Sequence, residues 1–323
     1  MKTVVNRYYD QLKDITIEER QLPPLKSDEI EIKVHAAALN KADLLLAKGK
    51  PWMIKLMYGF KKPKNIYPGS DFSGEVVKVG HQTSQFKVGD KVFGDLSGAD
   101  FKAFAEVIHT QEKNIWYMPK DYSYLEAAAL PMPVGTALEA IKKVGNLKDK
   151  KVLVYGASGG VGRFLVQLVL FKGATVDAVA SNTHMDDLKD LGVSHIYDYK
   201  SSSFTLPNNY YDVIFAVNGY QSLRNYGKAL VKHGFCVIIG GSGKQLFAAM
   251  SKGWFYKLFK KKHISSVLAN PSQDVMKSIT DISEQTRLNV QIGKTYAFSE
   301  ISQAFIDFDH HTYSGKYVID IKK

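Results

Sequence analysis

Residues 151–167, KVLVYGASGGVGRFLVQ, end an apolar run on three glycines spaced Gly156-x-x-Gly159-x-x-Gly162, and a helical apolar pattern follows at once. A strand that stops in a glycine turn and opens a helix is one step of a parallel α/β sheet. Each glycine has a physical use. A tight turn needs positive φ, a phosphate needs backbone N–H groups with no Cβ in the way, and helix and strand must pack closely. The first gap is one residue longer than in the strict dinucleotide turn. The same residues also spell Gly156-Ala157-Ser158-Gly159-Gly160, the Gly-x-Ser-x-Gly of a hydrolase elbow, which needs the same strand–turn–helix setting. Context favours the nucleotide reading. The runs ATVDAVAS, HIYDY, YDVIFAVNG and GFCVIIGG follow with helical connectors between them, and no glycine-rich oxyanion loop precedes the turn. The predicted class is α/β, with a doubly wound parallel sheet in this half.

The end of the second strand of such a fold meets the adenosine ribose, and a carboxylate there favours NAD. Counting about 19 residues on from Gly162 reaches Ser181, followed by Asn182 and Thr183. These are small polar residues, and Asp177 falls earlier, inside the strand. The expectation is therefore NADPH.

Upstream, residues 1 to 120 hold short alternating segments such as EIEIKVHA (Glu29 to Ala36), which suit a β domain. Ser123-x-x-Glu126 is a capping box. Pro131 and Pro133 are expected to end the helix it opens, and Thr136 to start the next. After His263 a helix, two strands and another helix are expected to complete the first domain. The expected division is 1–121, 122–265 and 266–323. At 323 residues with a single cysteine, Cys236, internal disulfides are excluded and a cytoplasmic location is expected. The net charge of +11 favours anionic partners, although most basic residues are scattered.

Several motifs, in order along nearly the whole chain, carry a resemblance. They are Leu39-Asn40-Lys41-Ala42-Asp43, Pro68-Gly69-Ser70-Asp71-Phe72-Ser73-Gly74-Glu75-Val76, FKVGDKVFG, LEAAALPMPVGTALEAI, GASGGVG, DLGVSHIYDY and GKYVIDI. With them the chain resembles the zinc-free quinone oxidoreductase branch of the medium-chain dehydrogenase/reductases, and within it the enone reductase and chloroplast-envelope quinone oxidoreductase homologue group. That resemblance implies a GroES-like β domain joined to a Rossmann domain, and hydride transfer from NADPH to a quinone or an activated C=C bond. A non-enzymatic NADPH-binding or nucleic-acid-binding protein on the same fold is the alternative.

Carried over residue by residue, the resemblance implies a substrate or nicotinamide contact from Asn40, and Tyr58, in the variable loop before Pro68, is a candidate donor to the substrate. The resemblance implies cofactor contacts from Thr136, Ser158, Gly159, Gly160, Val161, Ser181, Asn182, Tyr199, Asn218, Gly219, Gly240, Gly315 and Lys316. It also implies a homodimer. No metal is expected, because zinc relatives carry Gly-His-Glu where this chain has Gly69-Ser70-Asp71. The chain departs from the plant members at Lys41 and Leu45, so their substrates are not assumed. Two stretches, PWMIKLMYGFKKPK (Pro51 to Lys64) and GWFYKLFKKKH (Gly253 to His263), mix aromatics with lysines. They suit a cleft wall or dimer contact first, a membrane surface second, and nucleic acid last.

Overall fold

A computed structural model describes residues 1–181, 185–217, 221–240, 243–267 and 271–322. It divides into two compact units, one of residues 1–135 with 270–323 and one of residues 136–269. In chain order the first unit holds β1 (Lys2–Val5), β2 (Thr16–Glu19), β3 (Glu29–Ala38), α1 (Lys41–Lys48), α2 (Trp52–Tyr58), β4 (Asp71–Val79), β5 (Lys91–Asp95), β6 (Val107–Gln111), β7 (Ile115–Tyr117) and α3 (Tyr124–Ala128). Helix α4 (Pro131–Val144) carries the division. The second unit holds β8 (Lys151–Tyr155), α5 (Gly160–Phe171), β9 (Thr175–Ala180), α6 (Met185–Lys189), β10 (His195–Asp198), β11 (Tyr211–Val217), α7 (Leu223–Ala229), β12 (Leu230–Ile239), α8 (Gly243–Lys260) and β13 (His263–Val267). The chain then returns to the first unit with α9 (Gln273–Thr286), β14 (Ile292–Ala297), α10 (Ile301–His310) and β15 (Lys316–Asp320).

The first unit is built on a sheet of order β14-β15-β3-β4-β5-β7, with β6 also paired to β3. Strand β3 alternates as its sequence demands. Ile30, Ile32 and Val34 are buried in a core shared with Phe72, Val92, Phe104 and Phe305, each such side chain worth about 1.5–3 kcal/mol on burial. The alternation stops at His35, and from there to Ala38 both faces are buried. Ala36 and Ala38 pack there against Ala128 and Ala129 of α3 and the region following it, and against Val318 of β15. Small residues let these backbones approach. The Ser123 capping box forms, with the hydroxyl accepting from the Glu126 amide.

One expectation is corrected. The capping-box helix does stop before Pro131, at Ala128, but the next helix does not wait for Thr136: Pro131 and Pro133 open α4, and Thr136 lies inside it. The first turn of a helix has no internal partners for its N–H groups, so proline is tolerated there.

The second unit is a six-stranded sheet, entirely parallel, of order β10-β9-β8-β11-β12-β13. Counted from β8, this is the 3-2-1-4-5-6 order of a Rossmann sheet. Its central strands are continuous apolar runs because both faces are covered. The sequence reading ended this pattern at His263, yet β13 adds a sixth strand. In HISSV only Ile264 and Val267 are buried, so this edge strand lacks the apolar run that marks its neighbours. Among the described residues no helix is long and apolar enough to cross a membrane.

Candidate functional site

In the second unit, the order of the sheet reverses between β8 and β11, the place where such sheets bind ligands beyond their carboxyl ends. The glycine turn lies there. Gly156 has φ +76°, and a Cβ on it would collide with the Val217 carbonyl at the end of β11. A Cβ on Gly162 would collide with the Gly156 carbonyl. A Cβ on Gly159 would meet only the Gly156 carbonyl, at an ordinary 3.5 Å. Two glycines therefore serve the protein's own packing, and the middle one leaves a face bare.

The turn is held by the Gly156 and Ala157 amides, which both donate to Val179 O at 2.9 and 3.1 Å. Helix α5 begins with no side-chain cap and no acid in its first turn. Its leading N–H groups and the positive end of its dipole suit an anion. The residues Ser158, Gly159, Gly160 and Val161 thus fit a dinucleotide pyrophosphate. Ser158 is not among the residues with positive φ, so the strained serine of a hydrolase elbow is not reproduced.

Beside the turn, Asp198 of β10 pairs with Ala180 of β9. This register carries Tyr199 and Ser181 out of the same end of neighbouring strands, and Tyr199 N donates to Ala180 O at 3.3 Å. Ser181 is buried and Tyr199 exposed, with Lys200 Nζ 6.0 Å from the tyrosine ring centre. The carboxylate of Asp177 is committed elsewhere. It is buried and accepts the Tyr211 hydroxyl at 2.8 Å, while burial and this bond raise the Tyr211 phenol far above its usual range. Gly240 follows β12 with φ +64°, and Thr136 is buried in α4. Asn182, Asn218 and Gly219 lie outside the described residues.

Asn40, Tyr58, Gly315 and Lys316 belong to the first unit. Asn40 is buried and precedes α1, and its amide N–H donates to Asp43 Oδ2 at 2.9 Å. Lys316 is buried at the start of β15. Its ammonium donates to Asn40 Oδ1 at 2.6 Å and to Leu39 O at 3.2 Å. The side chain that the resemblance puts at the cofactor is thus turned into the unit and fixes Asn40. Asn40 Nδ2 donates to Ser70 Oγ at 3.3 Å, and Ser70 donates on to Asp43 at 3.3 Å. Gly315 precedes this strand with φ +89°.

Sequence reasoning missed that three carboxylates, Asp43, Asp71 and Asp95, are buried near enough to Lys316 to act on its charge. Asp71 and Asp95 are directly opposed across β4 and β5, and all three acids are buried. Burial pushes Asp43 up to about 7, raises Asp95, and with Asp95 beside it raises Asp71 strongly. Burial lowers Lys316 while the acids work to hold its proton. Asp71 also accepts the Met132 N–H at 3.1 Å, from between two prolines in the first turn of α4. The available signal was an acid at the ends of two apolar strands, DF and VFGD. Tyr58 lines a small cavity with Tyr9, Asp43, Tyr67 and Phe101, and its ring meets Phe101 edge-on at 6.3 Å.

Residues 26–120 match the alcohol dehydrogenase GroES-like domain family, and residues 191–319 match the family described as zinc-binding dehydrogenase. The chain is 35% identical over 228 residues to a tomato 2-methylene-furan-3-one reductase, covering 68% of this chain and 56% of that protein. It is 29% identical over 323 residues to a spinach chloroplastic quinone-oxidoreductase homologue, covering 96% and 94%. A solved quinone oxidoreductase from Coxiella burnetii superposes with TM-score 0.84 at 24% identity, over 99% of both chains, which shows the fold.

The zinc named in one family description does not fit the residues present. Ser70 stands where zinc relatives have histidine, and its hydroxyl is held between Asn40 and Asp43. The single cysteine is buried in β12, with its thiol raised by burial. Among the described residues no three His, Cys, Asp or Glu side chains are grouped to hold a metal ion.

Proposed function

Because the chain belongs to the quinone oxidoreductase branch of the medium-chain dehydrogenase/reductases, we propose that it is an NADPH-dependent reductase of quinones or of the C=C bond of α,β-unsaturated carbonyls. The observation that carries this reading is the bare glycine turn at the uncapped start of α5, beside a second strand followed by Ser181 rather than an acid.

In this reading Ser158, Gly159, Gly160 and Val161 hold the pyrophosphate. Ser181, Asn182 and Tyr199 hold the adenosine 2′-phosphate, and Asp177, bound to Tyr211, does not repel it. Thr136, Asn218, Gly219 and Gly240 serve the nicotinamide side, and Gly315 with Lys316 acts through Asn40. Bound NADPH supplies a hydride to the electrophilic carbon. The negative charge that develops on the acceptor oxygen needs a preorganised donor. Tyr58 is the proposed donor, and Asn40, held by Lys316, orients the substrate or nicotinamide. A proton from water completes the reduction. The absence of any internal disulfide suits a reducing compartment such as the cytoplasm, and a homodimer is the proposed assembly.

The test is NADPH oxidation at a fixed low concentration, with NADH alongside, against a panel of quinones and enones. Turnover with an NADPH preference is expected. Ser181→Asp should lower NADPH affinity about tenfold or more, since a carboxylate would face a phosphate, and leave NADH turnover standing. No turnover despite NADPH binding would favour the non-enzymatic alternative, and an NADH preference would overturn the roles given to Ser181 and Tyr199.

A further inference from the structure

Helix α2 turns its most apolar side to solvent. Trp52, Met53, Leu56, Met57 and Phe60 follow an i, i+1, i+4, i+5, i+8 stripe on and just past the helix. Their exposure runs from 56% at Met53 to 77% at Phe60. The packed side is Ile54, Lys55 and Tyr58, all half-buried, with Lys55 Nζ 5.2 Å from the Tyr9 ring centre. A surface helix of a globular protein does the reverse, and a contiguous exposed apolar patch marks a contact surface.

The surroundings of the stripe narrow what it contacts. Residues 50–64 contain Lys50, Lys55, Lys61, Lys62 and Lys64, with no aspartate or glutamate among them. Lys50 is paired with Asp10 at 2.6 Å, while Lys61, Lys62 and Lys64 are exposed. A second copy meeting this face across a two-fold axis would set the patch against itself, and therefore lysines against lysines. A nucleic acid strand needs a row of aromatic platforms, but Met53, Leu56 and Met57 at the centre are aliphatic. An anionic lipid surface fits each part. The aliphatic side chains enter the acyl boundary, Trp52 sits at the headgroup level, and the lysines reach out along their stems to acidic headgroups. We infer that α2 and the lysines after it seat the protein on an anionic lipid surface, lying in the interface and not crossing it.

The experiment is co-sedimentation of the full chain with vesicles of phosphatidylcholine alone and of phosphatidylcholine with phosphatidylserine, at low and raised salt. Binding should be about tenfold or more stronger on the anionic vesicles and weaken with salt. Leu56→Ser with Met57→Ser should abolish it, and Lys61→Gln with Lys62→Gln and Lys64→Gln should remove the anionic preference. Both variants should keep the parent's thermal midpoint, since these side chains are exposed. In a Trp116→Phe, Trp254→Phe background, Trp52 emission should shift to the blue on anionic vesicles.

Absence of binding to either vesicle would overturn the inference. So would equal binding by the Leu56/Met57 variant, or loss of binding only when Trp254 and Leu258 of α8 are replaced. Light scattering that finds a dimer abolished by the Leu56/Met57 variant would give the face to a second copy, and retarded RNA released by that variant would give it to nucleic acid. No readout depends on reductase activity.

Discussion

Between β8 and α5 the chain withholds side chains so that backbone stands bare, whereas around Lys316 it packs five polar side chains into a buried interior: Asn40, Asp43, Ser70, Asp71 and Asp95. The first region is governed by volume. A single methyl group decides whether Gly162 can lie on Gly156. The second is governed by charge balance, because three carboxyls share one ammonium and all are raised or lowered by burial. The two should therefore fail in different ways, one to added size at any pH, the other to lost charge and to pH.

The largest effect is expected from Lys316→Met. It removes the ammonium that acts on Asp43, Asp71 and Asp95 and leaves its two buried acceptors, Asn40 Oδ1 and Leu39 O, without their donor, each unsatisfied group costing about 1–3 kcal/mol. Denaturant unfolding measures this, and parent-like stability would mean that all three acids are protonated in the folded state. Next is Gly162→Ala, whose Cβ collides with the Gly156 carbonyl. Overpacking of this kind costs about 1–3 kcal/mol, and nucleotide affinity should fall with it by titration.

Smaller is the pH effect of Asp43. Its carboxyl rises from 3.8 to about 7 on folding, so the folded state keeps a proton that the unfolded chain gives up. The contribution is fully present below about pH 4, is lost as pH rises through about 7, and is flat above that. Asp43→Asn should reduce this loss in thermal scans between pH 5 and pH 8, and only in part, because Asp71 and Asp95 shift the same way. Smallest in stability is Gly159→Ala, within about 0.5 kcal/mol because the position has room. A parent-like affinity for NADPH in that variant would break the contrast, since the bare face would then serve no ligand.

The two regions also differ in how openly the sequence declares them. The turn is contiguous, and its work is done by residues that are absent from side-chain space, so its spacing, with the strands that follow it, announced it. The cluster is assembled from positions 40, 43, 70, 71, 95 and 316, and nothing local ties Asp95 to Lys316. The resemblance placed Lys316 at the cofactor, while its ammonium is turned inward onto Asn40. The second helix opens at Pro131 and not at the expected Thr136, because proline breaks a helix interior but suits a helix start, and the sequence does not say which is present until Asp71 is seen receiving the Met132 amide. The mixture of lysines and apolar residues in α2 was plain, but which side faced solvent depended on how Tyr9 and the cavity around Tyr58 received the other.

Strand β15 lies between β14 and β3, and Lys316 joins Asn40 across 276 positions of sequence. During synthesis this fixes an order of completion. Every residue of the second unit, 136–269, has been made before β15 appears, so the nucleotide sheet can close while the earlier half is still waiting. Until residues 316–320 emerge, β3 keeps an unpaired edge where β15 will lie, which is a template for wrong pairing, and the acids at 43, 71 and 95 have no ammonium. The half of the molecule that leaves the ribosome first is the half that finishes last.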